Sequence, residues 1–219
     1  MNRKSTLTRL GAMFLMVAAL AVGVAACGSD NDDSTSTDDV KPVAEITDLG
    51  GVDTSVALDS GFLDALTKLK VTPAPVGDAT LKGTDISFPI TGGSVTYYDP
   101  SSPIRPYVQG LIEHDGSGLS LTAKGGPKVE LTDFEIDPGD STLTGTVTVD
   151  GKEAATDALL FNLDGTTLKP LQTNPDGSAT LTGTTVELSQ DAADLLNETF
   201  GIQDLKGGLV IGISTITVK

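Results

Sequence analysis

One histidine, one cysteine and thirty carboxylates carry most of the reactive chemistry of this sequence. His114 has Asp115 beside it and Ser117 just behind, the residue types of a nucleophilic triad. Residues adjacent in one turn cannot face one another in triad geometry, and no G-x-S-x-G, S-x-x-K or H-E-x-x-H segment accompanies them. No G-x-x-x-x-G-K-[ST] loop is present to cradle phosphate. With a single histidine and a single cysteine, zinc would depend on carboxylates almost alone, which it disfavours. Asp133, Glu135 and Asp137 alternate, so on a strand they share one face and crowd one another, as a solvated face does. Asp137 with Asp140, and the turn holding Asp176, are weak calcium candidates, because Asp-Gly turns form for backbone reasons alone. The expectation is a protein with no catalytic residue, no resident metal and no enzymatic step.

The surroundings of the cysteine are more specific. Arg3, Lys4 and Arg9 precede an apolar run from Leu10 to Val24, shorter than the ~20 residues that cross a bilayer. A basic start, a short apolar run and small residues at its end make a secretory signal. The segment Val24-Ala25-Ala26-Cys27 resembles the lipobox of bacterial lipoproteins. That resemblance implies cleavage before Cys27, acylation of its sulfur, and usually acylation of the new amino terminus. Residues 1–26 are then a lipoprotein signal peptide. The mature chain is expected on the extracytoplasmic face of the bacterial cell membrane, with Cys27 as the lipidated residue and the lipid as its contact with the membrane. No second cysteine exists to form an internal disulfide.

Residues 27–44 are expected to be the acylated cysteine and a disordered acidic tether. Aspartate, serine and threonine fill SDNDDSTSTDDVKP, and such a segment buries too little apolar surface to offset the entropy of ordering. Cleavage removes three cations and no carboxylate, which takes the formal charge from −16 to about −19. That field disfavours nucleic acid and anionic membrane surfaces as partners. The remaining residues, 45–219, suffice for a single domain with its own core.

Short Val, Ile, Leu, Thr and Phe runs fill this part, cut by ITGGS, HDGSG, KGGP, DPGDS, VDGK, LDGT and NPDGS, all read as turns. The fold class expected is mainly β: an antiparallel β-sandwich or Greek-key barrel-like domain with two short helices. One helix follows a capping Asp59 or Ser60, with Phe62, Leu63, Leu66 and Leu69 as its apolar stripe. The other follows Ser189, with Ala192, Leu195, Leu196 and Phe200 in the stripe and Gly201 as the stop. Both should cover the ends or an edge of the β core. Val129 and Leu131 change parity to Phe134 and Ile136, and Leu209, Ile211 and Ile213 to Ile216 and Val218; keeping all of them on the core face predicts β-bulges near Thr132-Asp133 and near Ser214-Thr215. GLVIGISTITV reads as a terminal core strand. T-L-x-G-T recurs in three strands, a pattern that cheap strand chemistry explains better than duplication.

The stretch GLIEHDGSGLSLTAKGGPKVELTDFEI resembles the β-rich haem-binding modules of actinobacterial surface proteins, the HtaA type, at His114, Gly116, Leu119 and Leu121. In that family a tyrosine ligates the haem iron and a histidine supports it. The resemblance therefore implies Tyr97, Tyr98, Tyr107 and His114 as ligand-binding residues and haem as a cofactor, where composition alone implies none. The family's aromatic-rich opening has no counterpart, and the chain has no Trp. Two functions follow. The main expectation is a non-enzymatic structural, adhesive or binding module of the cell envelope, with an unidentified protein or small-molecule partner and no pocket of convergent polar groups. The alternative is a lipoprotein that captures haem or another small apolar solute, with an apolar cavity bringing a tyrosine near His114.

Overall fold

The computed structural model describes residues 40–219. The expected signal peptide, Cys27 and most of the expected tether lie outside the described residues.

Alternating apolar positions build thirteen antiparallel strands and two helices into one continuous sheet. In chain order come β1 (Ala44–Ile46), β2 (Val52–Leu58), α1 (Ser60–Leu69), β3 (Val71–Gly77) and β4 (Thr80–Lys82). Next are β5 (Asp85–Pro89), β6 (Gly92–Tyr97), β7 (Val108–Ala123), β8 (Lys128–Asp137) and β9 (Thr142–Val149). The last group is β10 (Lys152–Asp164), β11 (Gln172–Thr173), β12 (Ala179–Leu188), α2 (Gln190–Phe200) and β13 (Val210–Val218).

Ile90 and Thr91 alone join β5 to β6. Ile90 N donates to Val52 O at 3.4 Å, and Thr91 N donates to Glu113 O at 2.8 Å. This run therefore pairs with β2 over its first half and with β7 over its second. The crossing closes the sheet into a barrel-like body, since β7, β8, β9, β10, β12, β13 and β2 pair in succession. The mainly β, barrel-like domain with two helices is the one the turn spacing suggested, and its strands follow one another round the barrel as a meander.

Both helices form with the expected caps. Asp59 Oδ1 accepts from Gly61 N at 2.7 Å and Phe62 N at 3.3 Å. Ser189 Oγ accepts from Ala192 N at 2.9 Å and donates to Leu159 O at 2.7 Å. Gly201 ends α2 in the left-handed conformation. Phe62 and Leu66 of α1 meet Leu196 and Phe200 of α2 over Leu131 and Ile211, so the two apolar stripes cover one end of the barrel.

The bulge expected near Thr132-Asp133 is present: pairing of β8 with β9 shifts between Thr132 and Glu135, and Asp133 has φ 53°. The parity change in β13 falls earlier than expected. Ile211 is the extra residue against β12, and β13 then pairs in register with β2 from Gly212 onward. Ile213, expected inside, is consequently 39% exposed. HDGSG is not a turn. It lies inside β7 as a wide bulge, where the pairing with β8 jumps between His114 and Gly118. Asp133 Oδ1 accepts from Gly116 N at 2.9 Å, so the two bulges lock together. The three T-L-x-G-T glycines do different work: Gly83 follows β4 in a turn, Gly145 sits inside β9, and Gly183 is a bulge of β12 with φ 113°.

Ser189 is 1% exposed and bonds in both directions, so Ser189→Ala removes a cap and strands the Leu159 carbonyl. A loss of roughly 1–3 kcal/mol is expected, read as a lower urea midpoint at unchanged slope.

Candidate functional site

Alternation along each strand points one row of side chains into the barrel, and these rows do not fill it. They line a cavity of about 180 Å³ with Val56, Ile86, Phe88, Ile112, Phe134 and Phe161 among the apolar residues. Among the described residues, no Lys, Arg, Asp or Glu lies on its wall. The polar residues on the wall are Thr54, Tyr97, Tyr107, His114, Ser141, Thr184 and Ser214. The helices close one end. The loops after β6, β8 and β10 bring Pro106, Pro138 and Leu168 to the other, which forms the mouth.

The bulge in β7 keeps Ile112 and His114 on the inner face before the bulge, and Leu119 and Leu121 after it. His114 is 1% exposed. Its Nδ1 lies 3.1 Å from Phe134 O and its Nε2 lies 2.8 Å from Thr54 Oγ1. A carbonyl only accepts, so Nδ1 carries the proton; Nε2 then accepts from the Thr54 hydroxyl. Burial pushes the imidazole pKa down from 6.5 to about 4, against the opposing pull of the Phe134 carbonyl and Asp115. His114 is therefore neutral near pH 7, with both nitrogens engaged.

Tyr97 and Tyr107 meet edge to face at the mouth, ring centroids 5.8 Å apart. Burial raises the Tyr107 pKa, Tyr97 adds to the rise and Arg105 opposes it, so this phenol keeps its proton. Tyr98 points away from the cavity, as the residue after Tyr97 on an extended chain must, and its N donates to Tyr107 O at 2.7 Å. Tyr97 pairs with Val108, six residues along β7 from His114, a separation of ~20 Å at the usual strand rise. The structure thus brings Tyr97 and Tyr107 together and places His114 on the same wall, well below them. Cys27 lies outside the described residues.

Four polar wall residues, Thr54, Ser141, Thr184 and Ser214, were not candidate site residues in the sequence. Thr54 was legible, because it alternates with Val56 and Leu58. Ser214 was not, because the bulge at Ile211 decides which way it faces. It is 4% exposed, and its hydroxyl has no partner among the described residues.

No protein-family model matches the chain, and no curated protein matches it by sequence. Among solved structures, it is similar to the C-terminal domain of HtaA from Corynebacterium glutamicum, with a TM-score of 0.52 at 14% identity, covering 80% of this chain and 97% of that one. The heme binding protein HtaB from the same organism gives 0.48 at 10% identity, covering 80% and 96%. The N-terminal domain of HtaA gives 0.48 at 14% identity, covering 77% and 97%. At such identity the C-terminal domain of HtaA shares the fold with this chain. In this structure Nε2 of His114 is engaged by Thr54, and Tyr97 and Tyr107 lie toward the mouth, with Tyr97 paired six residues along β7 from His114.

The buried imidazole makes stability depend on pH. The unfolded chain binds a proton near pH 6.5, whereas the folded one resists it down to about pH 4. The contribution is complete above pH 6.5 and disappears as pH falls through that window, a loss of ~3 kcal/mol. Urea denaturation at pH 7 and pH 4.5 should show this slope, and His114→Gln should flatten it.

Proposed function

We propose that this chain is a ligand-capture module of the bacterial envelope, held at the extracytoplasmic face of the membrane by lipid on Cys27. It takes a small apolar molecule into the barrel and carries out no chemistry on it. One observation carries the reading: the barrel is hollow, and its wall is mainly apolar with no charged side chain among the described residues. A purely structural module has no reason to leave such a space unfilled, since each missing contact costs stability. The fold shared with a domain of HtaA supports a binding role and makes haem a ligand to test. The lipobox-like Val24-Ala25-Ala26-Cys27 supports the anchor.

A polarity-sensitive, linear polyene apolar dye added to the purified full-length chain should bind saturably at one site per chain. Ser214→Phe, which fills the middle of the cavity, should abolish that signal while the far-ultraviolet circular dichroism stays native. A dye response equal in both proteins removes the reading. Haem is the second titrant. No Soret band is expected while Thr54 holds Nε2; a band lost in His114→Ala would return haem to this site.

A further inference from the structure

We propose that the cavity is a slot for one linear hydrocarbon chain, the tail of a monoacyl lipid whose head group stays at the mouth. This rests on the reading of the barrel interior as a binding site and names its ligand class. The wall positions on β13 are Ile211, Ser214, Ile216 and Val218. From the first to the last, the cavity follows roughly 20 Å of strand. Its volume of about 180 Å³ is nevertheless below the ~300–1,000 Å³ of an ordinary small-molecule pocket. A void that small, drawn out over that length, is a narrow channel, and an unbranched chain is the apolar shape thin enough to follow it. A planar macrocycle or a fused-ring system is not. The length also suits a lipid tail, since the ~30 Å hydrocarbon core of a bilayer is two chains deep.

The chemistry along the channel fits the same ligand. Among the described residues no cation lies on the wall to accompany a carboxylate or phosphate inward, so a charged head group must stop at the entrance. The entrance holds Tyr97 and Tyr107, whose rings pack edge to face on the apolar side and whose hydroxyls engage no other described residue. The far end is sealed by α1 and α2, so the tail enters from the mouth and ends against the helices. Along the way it passes Ser214 and its cross-strand neighbour Thr184. Both are small enough to leave the channel open, and both are uncharged.

The test titrates the full-length chain, loaded with the apolar dye, with saturated fatty acids from octanoate to palmitate. Displacement should strengthen about fourfold with each added methylene and level off once the tail fills the slot. Lysophosphatidylcholines of matching tail length form a second arm. Equal dependence on tail length in both arms means that the chain alone is recognised; displacement by the acids only means that a free fatty acid is the ligand. Ser214→Leu and Ala179→Leu narrow the channel in its middle and near its mouth, and each should move the plateau to shorter tails in protein that is still folded. A profile unchanged in both folded variants overturns the slot, as does displacement that ignores tail length. Dye binding that no straight chain displaces removes this inference and leaves ligand capture standing. Absence of dye binding removes both.

Discussion

Closure of the sheet sets the diameter of this protein, and the sequence supplies too few large side chains to fill the space enclosed. Counting β5 and β6 as one strand, eight strands surround the interior: β2, β5–β6, β7, β8, β9, β10, β12 and β13. A barrel of that size is just wide enough to be filled by its own side chains or to hold one small ligand. Which of the two occurs depends on residue volume. The whole chain has six Phe, three Tyr and no Trp. Phe134 packs edge to face between Phe88, at 5.1 Å, and Phe161, at 6.4 Å, and these three concentrate bulk in one part of the interior. Past them the wall is built mainly of Val, Leu, Ile, Pro, Ser and Thr, with His114 among them and Tyr97 and Tyr107 at the mouth, and a narrow space remains.

The polar centre of that interior is possible only because of two irregularities in the sheet. A neutral imidazole sealed from water needs a partner for each nitrogen. The bulge in β7 sets His114 on the inner face opposite Phe134, whose carbonyl takes the Nδ1 proton. The bulge in β8 supplies Asp133, which holds Gly116 N and fixes the β7 excursion from outside. Ser117, wholly buried in that excursion, donates back to His114 O at 3.1 Å. Thr54, brought across from β2 by closure of the barrel, satisfies Nε2. The histidine is thus a consequence of ring closure as much as of its own strand.

Local signals in the sequence were read correctly where the cause is local. Asp59 and Ser189 cap their helices because side chain and backbone amide lie within one turn of each other. The bulge at Asp133 was legible because Val129, Leu131, Phe134 and Ile136 all had to face inward. Signals that depend on a partner strand were not legible. Asp-Gly is the chemistry of a hairpin turn, yet HDGSG runs on as strand because β8 continues alongside and β3 pairs with the far side of β7. Ile213 looked like core, yet the shift at Ile211 turns it outward and puts a serine in its place. The hollow itself leaves no local mark, since it is a difference between the volume enclosed and the volume supplied.

The distribution of charge separates the two surfaces of the sheet and limits what the interior can hold. The chain carries a formal charge of −16, and among the described residues no charged side chain lies on the cavity wall. Outside, the excess charge maintains solubility, while inside the buried imidazole of His114 is neutral near pH 7. Bringing a full charge inward would cost several kcal/mol unless it arrived with its counter-ion. A shared fold therefore does not carry a shared ligand with it. A barrel of this shape that recognises an iron-centred macrocycle needs a ligating atom free at the site. This one closes Nε2 of its histidine with a threonine hydroxyl, and on the proposed reading its selectivity is by length and polarity.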